Sequence, residues 1–233
     1  MSAAGDCSSR QRNEKHRDSS VKQETLDMKD GMVAAFDPTT EVSAASVVQL
    51  SALSSDALAL LKSDSGANVR RFLDRLMGSG LPADALALVA RVLPKRYVVA
   101  WACDCLRTAL ADAPEVSDVD RAGLALAQQW LSEPSEDNRR AALEFAERGE
   151  LRTPGAWIAA SAGWTGGSLA PRGYDPIPPP DHLPAEAAIA ALRLTAARGT
   201  NYAATINGFV TRAIQIFGPA VARSGSEAAG GRA

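Results

Sequence analysis

The chain has two histidines in 233 residues, His16 and His182. Histidine is the side chain that ordinarily titrates near neutrality, and Ser-His-Asp or Cys-His arrangements depend on it. His16 lies in a polar N-terminal stretch, so any such arrangement has to use His182. Its neighbour Asp181 sits beside it in a Pro-rich segment. Adjacent residues there rarely reach the geometry of a working dyad, so no catalytic residue is expected. Cysteine is equally scarce: Cys7, Cys103 and Cys105. On a helix Cys103 and Cys105 point about 200° apart, so they share neither a metal nor a disulfide and read as small buried hydrophobes. An odd count without a disulfide framework points to a reducing compartment. No cluster of His, Cys or carboxylate has metal-ligand spacing, so neither a metal nor another cofactor is expected.

Strong charge of either sign is missing too. The net charge is −2, and the basic residues form no block, so nucleic acid is not an expected partner. No apolar run approaches about 18 residues, and no apolar stretch follows Met1. Neither a membrane span nor a secretory signal is expected, which leaves the cytoplasm as the expected location. Aromatic residues make up 5% of the chain, β-branched residues are sparse and alanine is abundant. Small side chains let helices approach closely, and this balance favours helix over sheet. The expected fold is all-α, either a compact multi-helix bundle or a short helical-hairpin solenoid. No fixed-period repeat is visible, which favours the bundle.

Residues 1–40 are polar and mixed in charge and cannot bury enough surface to offset their ordering entropy. They read as a disordered tail with a short docking piece at Leu26–Phe36. Residues 41–221 read as a single all-α domain, and 222–233 as a disordered C-terminal tail. Within the domain, capping chemistry marks helix starts. Ser54 or Ser55, Asn68, Ser117, Ser135, Thr153 and Thr200 each precede a helical pattern, while Pro82, Pro94 and Pro184 suit first helical positions. Asp118, Asp120, Glu136 and Asp137 fall in first turns, where the helix dipole favours acids. They read as dipole partners rather than a catalytic pair. Glu144 and Arg148 form an i,i+4 pair, and Gly149 ends that helix.

The stretch Leu93–Leu110, LPKRYVVAWACDCLRTAL, is expected to be the organising helix. Val98, Val99, Ala102, Cys105, Leu106, Ala109 and Leu110 fall on one wide apolar face. Tyr97, Trp101, Asp104, Arg107 and Thr108 fall on the other. Either a further helix covers that second face, or it is a patch that binds a protein partner, since Trp, Tyr and Arg anchor interfaces. Lys95 and Arg96 stand at the helix start, where the dipole disfavours cations. They are ordinary surface charge or serve an acidic partner. The partner-binding candidates are therefore Lys95, Arg96, Tyr97, Trp101, Asp104 and Arg107.

A long irregular segment follows at 165–183, rich in Gly and Pro. A loop of that length in a small domain is either functional or lies loosely along the surface. Gly163–Ser168 is a Gly-rich turn able to offer backbone N–H groups to an anion, though it lacks the Gly-Lys-Ser/Thr of a P-loop. The alternative site is therefore Trp164, Gly166, Gly167, Asp181 and His182, for a small molecule. Trp101, Trp130, Trp157 and Trp164 are large fillers in an Ala-rich interior, or they share a ligand pocket floored by the Gly-Gly turn.

Three stretches, LPKRYVVAWACDC (Leu93–Cys105), WLSEPSEDNRRAA (Trp130–Ala142) and WTGGSLAP with PPPDHL (Trp164–Leu183), resemble an uncharacterised bacterial family of alanine-rich, all-helical proteins. The likeness spans roughly Leu50 to Pro219. It implies no activity. It implies a weak link to type VI secretion, near whose genes some members lie. Asp104 stands where the family pattern is expected to be apolar, which implies a more exposed second face here. The expectation for function is a non-enzymatic cytoplasmic interaction or adaptor protein, accessory to a bacterial secretion system. The alternative is a small-molecule-binding or enzymatic protein with its site at the Trp164–Leu183 loop.

Overall fold

The computed structural model describes residues 43–48, 53–111 and 117–217. The expected tails at 1–40 and 222–233 lie outside the described residues, as does the piece at Leu26–Phe36. Among the described residues ten α-helices follow one another: α1 (Ala44–Val48), α2 (Ser55–Lys62), α3 (Val69–Gly78), α4 (Pro82–Val92), α5 (Lys95–Ala111), α6 (Asp118–Ser132), α7 (Glu136–Arg148), α8 (Pro154–Gly163), α9 (Leu183–Ala197) and α10 (Tyr202–Phe217). No strand occurs among the described residues, only an isolated bridge between Ser43 and Asn68.

Local chemistry starts several helices as expected. Side-chain oxygens of Ser54, Asn68, Ser135 and Thr153 accept the backbone N–H three residues on, satisfying donors that have no intrahelical partner. Two starts differ. Ser117 makes no side-chain cap bond. The last helix is capped not by Thr200 but by Asn201, whose Oδ1 accepts from Ala204 N at 3.0 Å. The end of α7 falls at Gly149 as expected. Gly149 keeps a right-handed φ, and the left-handed residues are Glu150 and Leu151.

The most enclosed element is α8, not the expected α5. Every α8 residue except Trp157 is buried, and α8 packs on α5, α6, α7 and α9. A helix apolar all round belongs in an interior. Its approach to α6 is unusually close. A Cβ on Gly123 would lie 2.1 Å from the Gly155 carbonyl oxygen, and one on Gly155 would lie 2.4 Å from Asp120 Cα. Asp120 fixes that crossing. It is fully buried, accepts from Gly155 N at 2.7 Å and pairs with Arg198 after α9. Asp120 thus stands in the first turn of α6 as expected, yet α8 covers it. At the other end Ser161 donates its hydroxyl to the Pro184 carbonyl at 2.8 Å, pinning α8 to α9.

The chain closes on itself. Helix α9 packs on α4, α5 and α8, and α10 packs on α4 and α5. A solenoid keeps contacts between neighbouring repeats, so the described helices form a bundle. No helix among them is long and apolar enough to cross a membrane.

Candidate functional site

Helix α10 covers the second face of α5. Trp101 has no exposed surface and donates its indole N–H to the Phe209 carbonyl at 3.0 Å. Tyr97 stacks edge-on against Phe217, ring centres 5.9 Å apart. Asp104 accepts from Arg212 Nε at 2.6 Å and from Arg107 at 2.5 Å. The hydrogen bond from Arg212, aided by Arg107, holds its carboxyl below the usual carboxylate range. Trp101 therefore anchors α5 to α10 inside the protein and offers no patch to a partner. Asp104 does not open that face; it ties it to α10. Arg107 stays at the rim, with 57% of its side chain exposed.

Lys95 and Arg96 point instead to a different place. An open cleft of about 580 Å³ is lined by Pro94, Lys95 and Arg96 from the start of α5, and by Trp130 from α6. The turn into α7 adds Pro134, Ser135, Glu136 and Arg139, and the start of the loop adds Thr165, Gly166 and Gly167. Three stretches far apart in sequence thus meet at one cleft. They are the same three that carry the family resemblance.

A buried arginine assembles it. Arg139 is almost fully enclosed, with 4% of its side chain exposed. It donates Nη1 to the Gly163 carbonyl at 2.5 Å and Nη2 to the Ser168 carbonyl at 2.9 Å. The guanidinium also grips both oxygens of Glu136, at 2.6 and 2.7 Å. That two-pronged pairing suits its planar fork, and it holds the Glu136 carboxyl below its ordinary range, with help from Arg140. Arg140 donates to the Ala170 carbonyl at 3.1 Å. Gly167 lies flat on this ion pair at φ +66°, and a Cβ there would meet Glu136 Oε2 at 2.5 Å. Ser168 Oγ accepts from Ala170 N and Ile177 N, both at 3.0 Å, and Leu169 N donates to the Ile177 carbonyl at 2.8 Å. The first half of the loop is therefore clamped rather than loose.

The remaining loop candidates lie on the far side of Lys95. Asp181 accepts from Lys95 Nζ at 2.6 Å, which lowers its pKa, although 93% of its side chain is exposed. Asp181 and His182 border a second cavity of about 550 Å³, with Ala90, Arg91, Leu93, Lys95, Val98, Pro184 and Ala185. Lys95 belongs to both hollows. Trp164 lines neither; it packs edge-on against Trp157 at 6.4 Å. The four tryptophans share neither hollow, and Trp130 alone among them walls the cleft.

The cleft presents cations, an aromatic wall and a Gly-Gly turn. Its hydroxyls are engaged: Ser135 caps α7, and Thr165 donates to the Ala162 carbonyl at 2.7 Å. With Glu136 neutralised by Arg139, Lys95 and Arg96 give the surface a positive balance. No group of three or more His, Cys, Asp or Glu among the described residues could hold a metal. Cys103 and Cys105 are buried thiols, and burial pushes the Cys103 thiol up to about 12.

Sequence reasoning missed the roles of Arg139 and Arg140, and the burial of Asp120. The signal for Arg139 was present, since it falls in register with Ala142, Leu143 and Ala146 on the apolar stripe of α7. No curated protein and no solved structure matches the chain. Residues 72–217 match DUF6931, a family of unknown function, and the chain belongs to that family.

Proposed function

We propose that the chain is a binding protein that captures an acidic segment of a protein partner in the cleft beside Lys95 and Arg96. The observation that carries this reading is the convergence of Pro94–Arg96, Trp130–Arg139 and Thr165–Gly167 on that cleft. Lys95 and Arg96 at the start of α5 counter the helix dipole, and an acidic ligand there relieves the mismatch. Trp130 supplies the aromatic wall that interface anchors use. The cleft is open rather than enclosed, which suits a polypeptide running across it better than a small metabolite held all round. The adaptor expectation is thus kept, while its surface moves from Trp101 to the cleft. Work in the cytoplasm as an accessory of a bacterial secretion system is part of the proposal, supported by the family resemblance alone.

The test is selection of a random peptide library on the immobilised protein, followed by anisotropy titration of selected peptides. Peptides rich in Asp and Glu are expected, with affinity falling as salt rises. Arg96→Glu is expected to abolish their binding with far-UV circular dichroism unchanged. Selection without acidic bias, or acidic peptides that bind Arg96→Glu equally well, sinks the reading.

A further inference from the structure

We propose that the second cavity, between the end of α4, the start of α5 and the start of α9, is a binding site for a small monocarboxylate with an apolar body. The inference rests on the cavity's own residues and not on the acidic-segment reading of the neighbouring cleft.

The cavity has the size of an ordinary small-molecule site, about 550 Å³. Most of its lining is apolar: Ala90, Leu93, Val98, Pro184 and Ala185. Val98 and Leu93 are buried side chains of the core, so this lining is a fixed wall. Three nitrogen groups join it, from Arg91, Lys95 and His182, and one carboxylate, Asp181, at the rim. Such a lining fits an amphiphile with a negative head better than an apolar or cationic molecule.

Two of those groups lack a full complement of partners. Arg91 has 11% of its side chain exposed and pairs through Nη2 with Glu186, yet its Nε–H is buried without any hydrogen-bond partner among the described residues. Buried donors are nearly always paired, and an orphan calls for an acceptor. Among the described residues Lys95 Nζ is held by Asp181 alone, and Asp181 stands 93% exposed at the rim. An exposed pair of that kind exchanges its partner readily. A carboxylate entering the cavity takes one oxygen to Lys95 Nζ and the other toward Arg91, while Asp181 returns to water. Its apolar body lies along Leu93, Val98 and Ala185. A neutral alcohol satisfies neither cation, and an ammonium is repelled by both.

Isothermal titration calorimetry of the full chain with octanoate, octanol and octylammonium tests this directly. Octanoate is expected to bind, with a negative heat-capacity change from its apolar body. Octanol is expected to bind roughly tenfold or more weakly, the effect of one charge-assisted hydrogen bond. Octylammonium is expected not to bind. Arg91→Gln and Lys95→Met each reduce octanoate affinity by a similar factor. Ala185→Leu fills the cavity and blocks it without touching either cation, which keeps the test decisive if Arg91→Gln folds poorly. Arg96→Glu, which alters the cleft and leaves the cavity lining intact, keeps octanoate affinity, so failure of one site is separable from failure of the other. Equal binding of octanol and octanoate, or octanoate binding that survives both Lys95→Met and Ala185→Leu, overturns the proposal.

Discussion

Replacing Gly123 with alanine places a Cβ 2.1 Å from the carbonyl oxygen of Gly155. Even favourable carbon–oxygen contacts lie at about 3.3–3.6 Å, so α6 and α8 must separate by roughly 1 Å or more. The oxygen is backbone on a buried helix and cannot swing aside. A gap of that size forfeits about a quarter to a half of the dispersion attraction across the crossing. It also stretches the 2.7 Å bond from Gly155 N to Asp120. Overpacking of this kind costs about 1–3 kcal/mol, occasionally more. The better helix propensity of alanine offsets about 1 kcal/mol of that. The expected net loss is about 1 kcal/mol, rising to about 2 at the upper end of the overpacking range.

The same substitution at Gly208 is the internal control. Gly208 is also inside a helix, but it is exposed, and a Cβ there meets nothing within 4 Å. Only the propensity term remains, so Gly208→Ala is expected to gain about 0.5–1 kcal/mol. Urea unfolding followed by circular dichroism gives both values, with the midpoints moving in opposite directions at unchanged slope. Gly123→Ala as stable as the parent, or both variants moving the same way, refutes the account of the α6–α8 crossing.

Two further outcomes follow from the ion pairs. Arg139→Met leaves the buried Gly163 carbonyl without its side-chain donor, an orphaned acceptor that costs about 1–3 kcal/mol, while Glu136, 44% exposed, keeps Arg140 and adds little. Trypsin should then cut at the exposed Arg172 faster than in the parent, and an unchanged cleavage rate contradicts the clamp. Asp104 has a folded pKa below its unfolded value of about 3.9, so its stabilising effect is full above that value and fades as pH falls through the folded pKa. Asp104→Asn should therefore lower the melting temperature at pH 7 and leave it nearly equal to the parent near pH 2; a deficit independent of pH counts against the Arg212 and Arg107 contacts.

What was legible in the sequence is what depends on a few adjacent residues. Ser54, Asn68, Ser135 and Thr153 cap as expected because a cap needs only the chain three residues ahead. The same locality explains the miss at α10, where Thr200 and Asn201 are both competent caps and only the path of the incoming chain selects Asn201. Of the two readings of the Trp101 face, the covering helix holds and the partner patch does not, and the sequence left both open for another reason. A helical projection shows which residues share a face, not how many neighbours the helix has. Helices α8 and α9 cover one side of α5 and α10 another, so both faces are interior.

The site was hidden by a related limit. Lys95, Arg96, Gly166 and Gly167 were all singled out, but as members of two separate candidates. What unites them is Arg139, a charge on the apolar stripe of α7. Its guanidinium reaches across α8's last carbonyl to the loop, 24 and 29 residues further along the chain. Charge alone points to a solvated side chain, whereas position on the stripe demands burial, and burial of a guanidinium demands partners on every side. The partners available are the carbonyls of a Gly-rich turn that makes no helix of its own. A basic residue in register with an apolar stripe, followed by a long Gly/Pro segment, thus marks a clamped loop. The cleft then forms over the clamped turn, where Gly166–Gly167 lie beside Lys95 and Arg96.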